Sequence, residues 1–335
     1  MIKKSILHVV EAGGGGVLTA LNRWVNGSSE HTHTIFMAKR LESYSDLHWG
    51  KNVNWVPSPN GIIPMLKYYR KLIKSGEFDV IHFHSTKAGL FRIFKAKSII
   101  VYSPHCFAFE RTGKNSILNF GIYLIEKILS SFTDFFAVVS EREKLLVKKL
   151  NPNSGVELIS FNVSEWKSSK AKDKIVVIGR ICYQKNPREI AEIIYRLSTS
   201  HHGYDYVWIG DGDKKYKSYL LDAGVRITGW IKPKEVTEEL KDAAFMLHAA
   251  RWEGMPMVFA EALAGGVPIV ARNSKYLHGE SKLESIHVYE DKNEAVKLCE
   301  EILYSKERKY SKDFEINRIL YSNFLNDIFK RMANQ

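Results

Sequence analysis

The chain has 335 residues, enough for two domains of ordinary size, and 45% hydrophobic with 26% charged residues excludes a disordered polypeptide. No run approaches the roughly 18 to 20 apolar residues that cross a bilayer, and the apolar start passes into glycines without a small-residue cleavage site, so a first strand is read there and no signal peptide. The formal net charge is +12, and residues 62–127 alone hold 11 Lys and Arg against 4 Asp and Glu, so this region should face an acidic membrane surface, a lipid-linked diphosphate or a nucleic acid.

Apolar runs at 7–10, 34–38, 53–56, 80–83, 99–103 and 135–139 read as strands separated mostly by helical patterns, and the alternation resumes at 175–178, 206–209, 226–228, 245–249, 268–271 and 285–289. This predicts an α/β protein of two doubly wound units in series, residues 1–165 and 166–311. The polar, lysine-rich stretch 164–174 marks the linker, with the boundary near Trp166. Apolar residues at helical spacing from Tyr310 to Phe329 predict one or two closing helices. Cys106, Cys182 and Cys299 are scattered, which fits a reducing, cytoplasmic compartment, and His31, His33, His82, His84, His201 and His202 lack acids or cysteines at zinc-site spacing.

Several chemical motifs follow strands. Gly14, Gly15 and Gly16 allow backbone to approach a phosphate, but without the third glycine of a dinucleotide fingerprint, so an oxidoreductase is not supported. His84 ends a strand and Lys87 lies in the first turn of the next helix, which makes both candidate contributors to an acceptor site. His105, after the strand at 99–103, should project from the carboxyl edge of the sheet, where ligands bind in open α/β folds. Ser140 and Glu143 fit a structural capping box.

Gly179 and Arg180, with Lys185 ahead of the Pro187 helix start, put two cations where a nucleotide diphosphate would bind. The run from Arg251 to Ala262 then sets Glu253 and Glu261 eight positions apart around Gly254-Met255-Pro256, with Pro256 expected in the first helical turn. Backbone N–H groups of Gly254, Met255, Met257 and Val258 would leave a positive helix end open to sugar hydroxyls or a phosphate. Taken alone, Glu253 reads as a capping acid and Glu261 as a solvated helix residue. The apolar surroundings of Glu261 argue instead for a partner, and a carboxylate accepting from vicinal hydroxyls is a sugar or ribose clamp.

Glu, seven residues, Glu, within EGMPMVFAEALAGGVPIVA, resembles the signature of family 4 of the retaining, nucleotide-sugar-dependent glycosyltransferases. These share the GT-B fold, two Rossmann-like domains facing across a cleft. The resemblance covers nearly the whole chain and is stronger in its C-terminal half. It departs where Asn186 replaces the usual glycine after Lys185, and where Val17 and Leu18 replace an acid common in relatives.

The resemblance implies that His105, Glu253, Arg180 and Lys185 carry the catalysis. Arg180 and Lys185 would stabilise the leaving diphosphate, Glu253 and the N–H groups of residues 254–258 other than Pro256 would hold the sugar, and Glu261 would clamp the ribose. Gly229 and Trp230 would border the base, while His105 would sit beside the sugar and diphosphate, able to donate a hydrogen bond. Residues 312–335 would cross back onto the first domain. The implied reaction moves a hexose or N-acetylhexosamine from a UDP-sugar to a polyprenyl-diphosphate-linked glycan, in O-antigen or capsule synthesis, with no divalent ion and no cofactor.

Aromatics and cations interleave at 68–74 and 90–95, as on helices that rest on an anionic membrane, so the inner face of the cytoplasmic membrane is the expected location. A non-hydrolysing nucleotide-sugar epimerase or a phosphorylase on the same fold is the nearest enzymatic alternative. A nucleic-acid-binding protein would explain the charge but leave Glu253, Glu261, Arg180 and Lys185 without a role, so nucleic acid is not expected as a partner.

Overall fold

Strands apolar on both faces, such as Lys174–Ile178, are stable only inside a sheet covered by helices on both sides. The computed structural model describes residues 3–13, 15–39, 48–94, 97–111, 116–161, 163–168, 174–278, 284–304 and 318–333. The chain divides into one unit of Met1–Asn162 with Asn317–Gln335 and a second of Val163–Ile316.

The first unit comprises β1 (Ser5–Gly13), α1 (Gly15–Asn26), β2 (Thr32–Lys39), β3 (Val53–Pro57), α2 (Ile62–Ser75), β4 (Val80–His84), α3 (Ser85–Gly89), β5 (Ile99–Ser103), α4 (Ser116–Ser130), β6 (Phe135–Val138), α5 (Glu141–Leu150) and β7 (Gly155–Leu158). Its seven-stranded parallel sheet has the order β3-β2-β1-β4-β5-β6-β7. Strand alternation divides the side chains. Leu7, Val9, Phe36, Ile81 and Phe83 point toward α2, α3 and α5, whereas Val10, Ile35 and Met37 pack under α1. β7 was not anticipated, because Gly155-Val156-Glu157-Leu158 buries only Leu158 fully.

The second unit comprises β8 (Lys174–Ile178), α6 (Pro187–Ser200), β9 (Asp205–Ile209), α7 (Lys214–Asp222), β10 (Arg226–Gly229), α8 (Pro233–Lys241), β11 (Ala243–His248), α9 (Met257–Ala264), β12 (Ile269–Arg272), β13 (Ile286–Tyr289) and α10 (Lys292–Tyr304). Its six-stranded sheet, also parallel, has the order β10-β9-β8-β11-β12-β13. Trp166 belongs to this unit: its indole covers Gly265, where a Cβ would come within 2.1 Å of the ring, and Nε1 donates to the Glu261 carbonyl at 3.0 Å. Of the expected linker, residues 169–173 lie outside the described residues.

The C-terminal segment packs on the first unit. Of the expected helix 312–335, residues 312–317, 334 and 335 lie outside the described residues, and α11 spans Tyr321–Ala333. Ile319 forms a parallel bridge with Ile159, and Arg318 donates to the Val139 carbonyl at 2.7 Å. Tyr321, Phe324, Leu325 and Ile328 are buried, the kind of burial worth about 1.5–3 kcal/mol per large side chain.

One membrane expectation is corrected by the packing. Arg92, in the 90–95 stretch, is fully buried, with Nη2 2.6 Å from Glu126 Oε2, Nη1 donating to Thr133 Oγ1 at 3.1 Å and Nε donating to the Gly89 carbonyl at 2.7 Å. A guanidinium with its donors satisfied inside cannot meet lipid headgroups. Exposed apolar side chains line α4, where Ile117 is 78% exposed, Phe120 62% and Ile128 64%, with Leu118, Leu124 and Ile125 exposed beside them. Among the described residues no helix is long and apolar enough to cross a membrane.

The α11 helix is anchored by the Tyr321 hydroxyl, 2.7 Å from His82 Nδ1, while His82 Nε2 lies 2.9 Å from Ser103 Oγ. The Ser103 hydroxyl donates to the Ala137 carbonyl, so His82 Nε2 carries the proton and Tyr321 is the donor to Nδ1. Tyr321→Phe leaves a buried acceptor unsatisfied and is expected to destabilise the protein by about 1–3 kcal/mol, read as a lower urea midpoint; an unchanged midpoint would refute the anchor.

Candidate active site

In the second unit β8 and β11 are neighbours, but the helices after them leave toward opposite faces. Core packing places α6 and α10 on the face of Val177, Phe245 and Leu247, while Phe259 of α9 meets His248 edge-on from the other side. The loops after β8 and β11 therefore diverge at a topological switch point, the usual ligand crevice of such sheets. The loop after β8 carries Gly179, Arg180 and Lys185, and that after β11 carries Glu253.

Both loops are tightly constrained. Gly179 has φ 143°, and a Cβ there would come within 2.7 Å of Lys185 Cε, so only glycine lets the lysine stem cross. Asn186, where the family usually has glycine, adopts the left-handed conformation at φ 57°, ψ 53°, which asparagine tolerates. Its Oδ1 accepts from Arg251 Nη2 at 2.6 Å, and Gln184 Nε2 donates to the Trp252 carbonyl at 2.8 Å, so the two loops are stitched side by side. Lys185 Nζ then lies 2.6 Å from Glu253 Oε1, an ion pair by distance although its angles fall outside hydrogen-bond geometry. Both side chains are about 15% exposed, shielded yet open at one end.

Pro256 is corrected by one position. Its ψ of 117° is extended, so it caps α9 and the helix begins at Met257. Gly254 and Met255 are buried loop residues, while Met257 and Val258 supply the first helical N–H groups, because Phe259 N already donates to the Pro256 carbonyl at 3.0 Å. Glu261 is half-buried in the second turn. Gly229, at φ 73°, and the exposed Trp230 end β10 on the same sheet edge, with open space where a Gly229 Cβ would be.

In the first unit the corresponding switch point lies between β1 and β4. Gly14 lies outside the described residues; Gly15 and Gly16 open α1, and a Cβ on either would meet nothing within 4 Å. Lys87 Nζ pairs with Glu11 Oε1 at 2.8 Å. His84 is corrected as a direct acceptor contact: it is fully buried, because strand alternation turns His8, His33, His82 and His84 onto the face covered by α1 and α11. His105 stands at the end of this group, half-buried at φ 47°, with its Nε2 3.1 Å from His84 Nδ1. His8, His82 and His84 form the one metal-ligand-type group among the described residues, yet every ring nitrogen in it is engaged in a hydrogen bond.

Residues 172–303 match the family described as Glycosyl transferases group 1. An uncharacterized 41.2 kDa protein in the cps region of Klebsiella pneumoniae is 24% identical over 354 residues, covering 96% of this chain and 97% of its own. The UDP-Gal:alpha-D-GlcNAc-diphosphoundecaprenol alpha-1,3-galactosyltransferase of Escherichia coli is 27% identical over 261 residues, 67% of this chain and 64% of its own. Among solved structures, sucrose-phosphate synthase from Thermosynechococcus elongatus matches with a TM-score of 0.82 at 11% identity, covering 99% of this chain and 100% of that one, a likeness of fold alone. The chain is a glycosyltransferase of the GT-B fold.

Glu143 was read only as a capping residue. Ser140 Oγ does accept from Glu143 N at 3.2 Å, but the Glu143 carboxylate passes over Ser140 N to accept from Val139 N at 3.0 Å and Cys106 N at 2.6 Å. It thereby holds the left-handed pair His105 and Cys106. Burial pushes its carboxyl up to about 7, against the two N–H donors and Arg318, which favour the anion.

Between the ordinary carboxyl range and pH 7 the folded chain thus holds a proton that the unfolded chain has lost. Stability falls as pH rises through that window, by about 3 kcal/mol from this group, and levels off above it. Glu143→Gln sacrifices one backbone acceptor but removes this slope. The variant should be less stable than the parent at pH 5 and gain on it by pH 8 in urea unfolding; a constant gap would show that Glu143 does not titrate in the window.

Proposed function

We propose that the protein transfers a hexose or N-acetylhexosamine, with retention of configuration, from a UDP-sugar to a hydroxyl of a polyprenyl-diphosphate-linked glycan, in bacterial surface-polysaccharide synthesis. The observation that carries this reading is the crevice between β8 and β11, where Lys185 and Glu253 converge beside the start of α9. The acceptor class is supported by the Escherichia coli relative, named for UDP-Gal and a GlcNAc-diphosphoundecaprenol, and by the Klebsiella pneumoniae relative, which lies in a cps region.

Arg180 and Lys185 neutralise the departing diphosphate. A diphosphate arriving at Lys185 takes it from Glu253, whose carboxylate then turns to the sugar hydroxyls. Met257 and Val258 offer N–H groups at a positive helix end, Glu261 clamps the ribose, and Gly229 with Trp230 borders the base. Fixed cations and dipoles meet the charge that develops on the leaving group, so no divalent ion is required. In the first unit, His105 and Lys87 serve the sugar and the acceptor. The α4 face rests on an anionic membrane: its exposed apolar residues enter the interface, while Lys127 on α4 and Lys148 and Lys149 on the adjoining α5 meet the headgroups. We propose the inner face of the cytoplasmic membrane as its location.

In thermal-shift screening, a UDP-sugar should raise the melting temperature where GDP- and ADP-sugars do not, because a ligand bound only by the folded form stabilises it. Lys185→Ala should weaken binding about tenfold to a hundredfold. Transfer to a polyprenyl-diphosphate-linked sugar should give the donor's anomer by NMR; no shift with any nucleotide sugar defeats the reading, and consumption of UDP-sugar without acceptor points to the epimerase.

For the membrane contact, vesicles containing phosphatidylglycerol should float the protein, and the double variant Phe120→Glu, Ile128→Glu should stay behind with its UDP-sugar shift intact. Equal flotation of both proteins would remove α4 as the docking face.

A further inference from the structure

The buried histidines of the first sheet form a chain of hydrogen bonds whose direction is set at one end. His33 Nε2 lies 3.0 Å from the Ser28 carbonyl and 3.2 Å from Ser28 Oγ, and that hydroxyl gives its own proton to the Trp24 carbonyl at 2.8 Å. Both neighbours are acceptors, so His33 Nε2 carries the proton and a neutral ring keeps only a lone pair at Nδ1. His8 Nε2, 3.0 Å away, must donate to it. His8 Nδ1 is then left to accept from His84 Nε2 at 3.1 Å, and His84 Nδ1 accepts from His105 Nε2 at 3.1 Å.

The rings stay neutral because burial disfavours the cation. His8 and His84 are held well below the usual histidine range, and His33 and His105 are pulled down to about 4. Among the described residues nothing bonds to His105 Nδ1.

We infer that His105 is locked as the Nε2–H tautomer and recognises substrate through its Nδ1 lone pair, accepting a hydrogen bond from a sugar hydroxyl. A deprotonated diphosphate has no hydrogen to offer that lone pair, so the donor role expected from sequence is reversed. Among the described residues the chain is built of neutral rings ending on a carbonyl, with no carboxylate to stabilise an imidazolium, so His105 orients a hydroxyl and does not take its proton. His84, His8 and His33 are positioning residues that act through it. The substrate role rests on the function proposed above; the tautomer does not.

The test is nitrogen NMR of the full chain labelled with 15N-histidine at pH 7, with His105 assigned by the signal lost in His105→Asn. The expected spectrum shows an unprotonated Nδ1 and a protonated Nε2 on His105; a proton on Nδ1, or one zinc ion per chain bound by the histidine group, overturns the inference whether or not sugar transfer is ever detected. A UDP-sugar that stabilises the protein should move the His105 Nδ1 resonance where UDP alone does not, and equal shifts from both would defeat the hydroxyl contact. In His84→Phe, which keeps a flat ring in the stack, the single tautomer should be lost and KM for the sugar donor should rise about fivefold to tenfold with kcat little changed. An unchanged His105 tautomer in that variant defeats the chain, and should the variant fail to fold, the spectrum of the unmodified protein still decides.

Discussion

Neighbouring parallel strands whose helices leave toward opposite faces cannot close the gap above their carboxyl ends, and the chemistry of the second unit follows from that gap. β8 and β11 are such a pair, so the loop bearing Lys185 and the loop bearing Glu253 lie side by side beyond the carboxyl ends of the strands. Opposite charges brought together at about 15% exposure attract more strongly than on an open surface, yet one side remains open to a ligand. Glycine is required where the lysine stem crosses Gly179, and again at Gly210, where a Cβ would come within 2.2 Å of the Gly179 carbonyl. The crevice therefore depends on close backbone approach as much as on its charged groups.

The first unit uses the same architecture differently. Period-two alternation places His8, His33, His82 and His84 on one sheet face, and Trp24, Tyr321 and the Ser28 acceptors enclose them. Burying polar rings is costly unless every nitrogen has a partner, and here His33, His8 and His84 partner one another in turn while His82 is held by Tyr321 and Ser103. Proton positions deep in the domain are thus linked to the one histidine that reaches the sheet edge. Glu143 supports that edge from another side by holding the backbone of Cys106.

Much of this was legible in the residues. Twelve strands followed from apolar runs between turn signals, and the doubly wound class followed from their alternation with helices. Arg180, Lys185, Glu253 and Glu261 stood out because charged groups at strand ends and helix starts have few structural uses in such a pattern. Other features could not be read locally. Arg92 looked like a surface cation beside aromatics, but its partner Glu126 is 34 residues away, and only packing joins them. Glu143 matched a capping pattern, but its carboxylate accepts from Val139 N and from Cys106 N, which lies 37 residues away in the chain. Pro256 fell one position outside its helix because its ψ is set by the loop and not by the ring.

The sequence by itself determined every strand but β7, the grouping into two α/β units, and the residue types available for phosphate and sugar chemistry, because these depend on periodicity and spacing along the chain. Tertiary structure alone decided that Lys185 meets Glu253, that α4 rather than Arg92 faces outward, and that the histidines join into one directed chain. Those outcomes depend on strand register and on which face each helix covers, and so on contacts between residues far apart in the chain.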